Sequence, residues 1–222
     1  MYFNNKPIKA VLFDLDGTLL DTATDLGHAL NNVLIKRNVT PLSHDIIRPA
    51  AGRGCRGLLK IGLNIEEHHP EYTHLCTELL MHYYSHLADT TTFFPGMDTV
   101  LQYLEQHKTP WGIVTNKPER FTLKLLDNLQ LTDRAACIIS GDTLKLSKPH
   151  PEPILHACQL LQQAPEECLY IGDSEIDIIA SKAAGSPAVV AMYGYIPAEE
   201  TPQQWNADGY IQQATDIITL LS

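Results

Sequence analysis

The sequence has no cluster of lysines or arginines. It carries 16 Lys and Arg against 26 Asp and Glu, a formal charge of −10. A nucleic acid or an anionic membrane needs a basic face, so neither is expected as a partner. A small anionic substrate is compatible with this balance, because a few local cations and a metal can hold one. No CxxC pair occurs. The five cysteines, Cys55, Cys76, Cys137, Cys158 and Cys168, are odd in number and scattered, which points to buried free thiols in a reducing cytoplasm. No apolar run is long enough to cross a bilayer, and the short polar stretch Met1–Lys9 is unlike a signal peptide, so a cytoplasmic location is expected. Internal repeats and low-complexity tracts are missing too.

What is present suits one large domain, or a core with a smaller inserted domain, in 222 residues. The chain is long enough to bury a sizeable core. Its organising stretch is Val11-Leu12-Phe13-Asp14-Leu15-Asp16-Gly17-Thr18. An apolar run that ends in two acids, glycine and threonine reads as a buried strand with its carboxylates at the C-terminal end. Open parallel sheets bind ligands there. Residues i and i+2 of an extended chain point to one side, so Asp14 and Asp16 can address one small volume. Two close carboxylates favour a cation or a shared proton.

Met1–Lys9 is expected to lead directly into this strand. Helical spacing follows from Asp21 to Arg37, with Asp21 or Thr22 as N-cap. A short helix is expected from about Ser43, another after the Gly-rich, basic segment Ala50–Gly57, and a long one from Glu71 to about Ala88. Beyond Pro95-Gly96 strands and helices alternate. Strands are predicted at 111–115, 137–140, 169–172, 189–191 and near 210–211. Helices are predicted between them, one closed by Gly185. This pattern predicts an α/β fold: a three-layer, Rossmann-like parallel sheet core with an inserted α-helical domain. A crossover needs only a dozen or so residues, so the helical block is read as an insertion at 20–92, with the core at 1–19 and 93–222. Rooted beside the acids, it would cover the ligand end of the sheet as a lid on two linkers.

Four stretches fall at predicted strand ends: Asp14-Leu15-Asp16, Thr115-Asn116, Lys148-Pro149 and Gly172-Asp173-Ser174-Glu175-Ile176-Asp177. Hydroxyl and ammonium suit phosphoryl oxygens. Three carboxylates suit a hard cation such as Mg²⁺. A carboxylate nucleophile can split a hydrolysis into two steps. These stretches, in this order and spacing, resemble the four motifs of the haloacid dehalogenase superfamily of phosphatases, and the helical insertion resembles its α-helical cap. The resemblance implies an Mg²⁺-dependent phosphomonoester hydrolase working through an aspartyl-phosphate. Asp14 would be the nucleophile and Asp16 the acid, then the base. Thr115 and Asn116 would bind the phosphoryl group, and Lys148 would neutralise it. Asp14, Asp173 and the backbone carbonyl of Asp16 would hold the metal, with Asp177 supporting the metal or Lys148. An aspartate at position 16 argues for phosphate chemistry, because an alkoxide leaving group needs a proton.

The runs Val114–Pro118, Gly141-Asp142-Thr143, Lys148–Pro151, Ile171–Ser174 and Tyr193-Gly194-Tyr195 resemble the phosphoglycolate phosphatase group. Pro110–Pro118 and the tail Tyr193–Ile196 with Trp205–Asp208 also resemble a subgroup acting on N-acetylmuramic acid 6-phosphate. A phosphoglycolate-type substrate is the first expectation and the sugar phosphate its rival. A phosphomutase of the β-phosphoglucomutase type and a non-catalytic phospho-receiver module are further readings. Arg53 or Arg56 is expected to reach a substrate carboxylate, and Lys117 to help the anion. His68-His69 reads as a loop, His150 as structural support, and Tyr193 and Tyr195 as pocket wall or packing. A monomer or homodimer is expected.

Overall fold

A computed structural model describes residues 1–221; Ser222, the last residue of the second core segment, lies outside the described residues. The chain opens with an antiparallel hairpin, β1 (Tyr2–Phe3) on β2 (Lys6–Pro7). The sequence reading runs this segment straight into the next strand. The reversal turns on Asn4 and Asn5, at φ 51° and 62°. Two left-handed central residues suit a tight hairpin, and asparagine tolerates that region.

Next come β3 (Ala10–Phe13), β4 (Leu20–Asp21), α1 (Ala23–Ile35), α2 (His44–Ala51), α3 (Gly54–Leu63), α4 (Tyr72–Ser85) and β5 (Thr92–Phe93). They are followed by α5 (Met97–Gln106), β6 (Trp111–Val114), α6 (Glu119–Asn128), β7 (Cys137–Ile139), α7 (Glu152–Leu160) and β8 (Cys168–Gly172). The chain ends with α8 (Glu175–Ala184), β9 (Ala188–Ala191), β10 (Gly209–Ile211) and α9 (Asp216–Leu220). Gly185 caps α8 at φ 83°, as its position after the helical run predicts.

Six strands form one parallel sheet in the order β10-β9-β8-β3-β6-β7. Every residue of β3 is buried, because helices cover both faces of the sheet. Val11, Phe13, Ile113 and Ile171 pack one face against Val100 and Leu104 of α5 and Phe121 and Leu125 of α6. Ala10, Leu12, Val114 and Tyr170 pack the other against Ile154 and Ala157 of α7 and Ala180 of α8. Each buried Val, Leu, Ile or Phe among them contributes about 1.5–3 kcal/mol by leaving water, and the alanines less.

The topology fixes where a ligand can bind. From β3 the sheet grows one way through β6 and β7, then the chain returns to β3's other edge and grows through β8, β9 and β10. The reversal leaves a crevice beyond the C-terminal ends of β6, β3 and β8. The helices α1 to α4 leave from and return to this end. Their linkers pair as an antiparallel two-stranded ribbon, Leu20 opposite Phe93 and Asp21 opposite Thr92. Leu26, Leu30, Val33 and Leu34 of α1, Leu58 and Leu59 of α3, and Leu75 and Leu79 of α4 join the same apolar cluster as the sheet face. Among the described residues, no helix is long and apolar enough to cross a membrane.

Candidate active site

Beyond β3 the backbone turns sharply. Leu19 and Leu20 donate their N–H groups to the Leu15 carbonyl, and Gly17 donates to the Leu20 carbonyl at 3.0 Å. Gly17 sits at φ 89°, and a Cβ there would stand 2.2 Å from Asp173 Oδ2. Only glycine allows both the left-handed turn and that approach. The turn leaves Asp14 and Asp16 on the wall of one cavity of about 1080 Å³. Their carboxylates meet different partners.

Asp14 accepts from Lys148 Nζ at 2.9 Å. Lys148 arrives from the loop after β7 and is buried. Its ammonium also donates to Asp177 Oδ1 at 2.6 Å, and to the Val114 carbonyl and the Tyr170 hydroxyl, each at 2.8 Å. Burial lowers the Lys148 pKa, but Asp14 and Asp177 more than reverse this and hold it raised. The loop itself is fixed by Asn116. Its Nδ2 donates to the Lys148 carbonyl at 2.8 Å and its Oδ1 accepts from the Lys148 N–H at 3.0 Å. Asn116's side chain is thus engaged with the lysine loop. Its main-chain N–H has no partner among the described residues. Asp177 is fully engaged too: Oδ2 accepts from the Ser174 N–H and hydroxyl, closing a capping box on α8.

Asp14, Asp173 and Asp177 bring carboxylate oxygens within 4.8 Å of one another. Among the described residues Asp173 meets only neutral donors, the Thr18 hydroxyl at 3.1 Å and the Tyr195 N–H at 2.7 Å. Burial, then Asp14 and Asp177, push its pKa well above the ordinary value. Burial also pushes Asp14 up to about 6, with Lys148 offsetting part of the rise and Asp177 adding to it. One buried ammonium therefore faces three acids, Asp173 and Asp177 buried and Asp14 half-buried. An all-oxygen donor set with uncompensated negative charge suits a hard divalent cation.

Asp16 stands apart from that trio. Its Oδ1 accepts from the Thr22 hydroxyl at 2.6 Å, and both of its oxygens lie 3.0 Å from Lys117 Nζ. Lys117 in turn donates to the Tyr83 hydroxyl of α4 at 2.8 Å. Thr115 is buried on the cavity wall, and its Oγ1 accepts from the Lys117 N–H at 3.2 Å. Its hydroxyl proton remains for a ligand.

Arg53 and Arg56 both line the cavity from α3 and the residue before it. Arg53 is engaged with Glu200 of the opposite wall at 2.6 Å. Arg56 has no hydrogen-bond partner among the described residues and remains open to a ligand. His68 lines the same cavity, and His150 accepts from the Glu152 N–H at the start of α7. All five cysteines are free thiols; Cys137, Cys158 and Cys168 are buried, whereas Cys55 and Cys76 are only half-buried.

Several residues enter the site without a sequence signal. Tyr170, read only as strand, holds Lys148. Tyr195 does more than wall the pocket: its hydroxyl donates to Asp21 Oδ1 at 2.7 Å and accepts from the Thr22 and Ala23 N–H groups. Thr22 is the N-cap residue of α1, one of the two the sequence predicts, but its own side chain does not cap; the Tyr195 hydroxyl takes the first N–H groups, with Asp21 Oδ1 a longer second acceptor for the Ala23 N–H at 3.4 Å. Arg48 of α2 donates to the Tyr193 and Gly194 carbonyls at 2.8 and 3.1 Å, over the Tyr195 ring.

Comparison with known proteins matches residues 11–191 to the model of the haloacid dehalogenase-like hydrolases. A phosphoglycolate phosphatase of Xanthomonas campestris is 40% identical over 206 residues, covering 92% of each chain. An N-acetylmuramic acid 6-phosphate phosphatase of Pseudomonas putida is 34% identical over 210 residues, covering 95% of this chain and 94% of its own. The crystal structure of a predicted phosphoglycolate phosphatase from Haemophilus somnus superposes with a TM-score of 0.84 at 25% identity, over 97% of this chain and 98% of the other.

Proposed function

The chain belongs to the haloacid dehalogenase-like hydrolase family, and on that premise we propose that it is an Mg²⁺-dependent phosphatase of small-molecule phosphomonoesters. The carrying observation is the meeting of Asp14, Asp173, Asp177 and Lys148 at the sheet's C-terminal end, with Asp16 and Thr115 on the same cavity. Asp14 attacks phosphorus and forms an aspartyl-phosphate while the substrate's ester oxygen leaves. Asp16 gives that oxygen its proton. Asp16 then takes a proton from water, whose oxygen attacks the phosphoryl group and frees phosphate and Asp14. Lys148, the Thr115 hydroxyl and the Asn116 N–H offset charge on the phosphoryl oxygens. Asp14, Asp173 and the Asp16 carbonyl would hold the cation, which when bound supplies further charge neutralisation. Asp177 keeps Lys148 aimed. Residues 20–92 act as a cap over the core formed by 1–19 and 93–222.

The relatives at 40% identity favour 2-phosphoglycolate as substrate. A cavity of about 1080 Å³ favours the second reading, a bulky sugar phosphate such as N-acetylmuramic acid 6-phosphate. Pockets of roughly 300–1,000 Å³ hold ligands far larger than a two-carbon acid. Phosphate release with Mg²⁺, compared for both esters by kcat/KM, decides between them. Asp14→Asn is expected to lose turnover and remain folded; full activity in that variant refutes the mechanism.

A further inference from the structure

Lys117 is more deeply involved than a residue that merely greets an anion. Its side chain is 7% exposed. Its ammonium lies 3.0 Å from both oxygens of Asp16 and 2.8 Å from the Tyr83 hydroxyl, with the Tyr83 ring centroid at 4.7 Å. A lysine has three protons to donate, and these contacts use them. Tyr83 belongs to the last turns of α4, is buried, and packs its ring 5.9 Å from Phe121 of α6. It reaches Lys117 only because the helical insertion rests on the core. Asp16's other donor, Thr22, stands just before α1 at the opposite end of the insertion. The carboxylate is thus held by one donor at the insertion's start and, through Lys117, by another near its end.

We infer that Tyr83, acting through Lys117, is a positioning residue for Asp16, so that the proton-transfer group is aimed only while the helical insertion is docked. The inference rests on the phosphatase reading above. Tyr83 has no hydrogen bond to Asp16 among the described residues and acts through Lys117, which lies directly on the Asp16 carboxylate. A tyrosine hydroxyl fixes the ammonium, and the ammonium fixes both oxygens of the carboxylate. Charge-assisted hydrogen bonds of this kind set direction as well as proximity. Undocking the insertion removes Tyr83 and Thr22 together and leaves Asp16 with a mobile lysine. Cap closure and proton transfer are then one event.

Leaving-group dependence tests this. The first step needs Asp16's proton for a poor alkoxide leaving group, and scarcely at all for p-nitrophenolate. Full-length wild type, Asp16→Asn, Lys117→Met, Tyr83→Phe and the Lys117→Met/Tyr83→Phe pair are assayed with p-nitrophenyl phosphate and with whichever of 2-phosphoglycolate and N-acetylmuramic acid 6-phosphate the wild type hydrolyses. Tyr83→Phe keeps the ring that packs on Phe121. It is expected to lower kcat/KM for the alkyl ester roughly tenfold, and Lys117→Met about a hundredfold, with less than about a twofold loss on p-nitrophenyl phosphate. The double variant should be no worse than Lys117→Met, because Tyr83 works only through that residue. Equal losses on both esters, additive losses, or a raised KM with kcat unchanged in Lys117→Met overturn the inference, the last by making Lys117 a substrate ligand. A wild type that releases no phosphate instead overturns the phosphatase reading, and an active Asp16→Asn on the alkyl ester overturns the proton-transfer role given to Asp16 and the inference with it.

Discussion

At the residue scale the site is a problem in charge. Asp14, Asp173 and Asp177 are gathered around one ammonium, and among the described residues Asp173 pairs with no cation of its own. Asp14 is raised from 3.8 to about 6, chiefly by burial. Between those two values the folded chain keeps a proton that the unfolded chain has lost. Metal-free stability therefore falls as pH rises through that window. A divalent cation relieves the crowding, and protons compete with it. Mg²⁺ is expected to raise Tm more at about pH 7.5 than at about pH 5, measured by thermal melts in both conditions. Asp173→Asn removes one of the crowded charges. Its amide can donate to the Thr18 hydroxyl, which also accepts, while its oxygen keeps the Tyr195 N–H. The variant should melt higher than wild type without metal and lose the Mg²⁺ response. An equal Mg²⁺ response in both proteins overturns this account.

At the element scale the sheet was legible because burial writes itself into local sequence. Val11–Phe13, Trp111–Val114 and Leu169–Gly172 are apolar runs since both faces are covered. Asp14 and Asp173 after two of them, and Thr115 after the third, mark the ligand side. The short elements were not legible. Two-residue strands such as β4 and β5 have no periodicity, and they are defined by backbone pairing across the whole insertion. The first hairpin did leave a signal, Asn4-Asn5, that its short flanks obscured. The residues that tie elements together lie far apart in sequence. Lys117 and Asp16 are 101 positions apart, and Tyr195 and Asp21 are 174 apart. No spacing rule reaches that distance.

Asp25 is a case with a measurable consequence. It is buried in the first turn of α1, and its carboxylate accepts from the N–H and hydroxyl groups of both Thr90 and Thr91 in the returning linker. One side chain therefore joins the exit of the insertion to its return. Removing it strands the two buried donors of Thr91, each worth about 1–3 kcal/mol when left unpaired, while those of exposed Thr90 turn to water. Asp25→Ala is expected to destabilise the protein by about 3 kcal/mol or more in urea unfolding. A loss under about 0.5 kcal/mol marks Asp25 as an ordinary surface acid instead.

At the scale of the whole molecule, two seams hold the helices α1 to α4, the proposed insertion, against the rest of the chain, and they differ in kind. Along α6, Tyr83 and Tyr84 pack their rings on Phe121, Lys124 donates to the Tyr84 carbonyl, and Asn128 donates to the Leu87 carbonyl. Along the loop after β9 the contacts are polar: Arg48 on the Tyr193 and Gly194 carbonyls, and Arg53 on Glu200. The Arg53 side chain is 52% exposed, and an ion pair so exposed contributes at most about 1 kcal/mol. Arg48 is half-buried over the Tyr195 ring at 5.2 Å, so its guanidinium offers stacking as well as two hydrogen bonds. The polar seam is the one that can open, and Arg48 is its main fastening. Arg48→Ala should speed hydrogen exchange in α2, α3 and residues 193–195 while β3, β6 and β8 stay protected. Arg53→Ala should leave exchange nearly unchanged and shift stability by less than about 0.5 kcal/mol. Faster exchange spread evenly over the sheet would mean that Arg48 supports the whole fold. Faster exchange in Arg53→Ala and not in Arg48→Ala would move the fastening to the exposed pair. The expected pattern leaves an insertion that releases along one edge and stays seated along the other, which opens the cavity on the side of Arg53, Arg56 and Glu200.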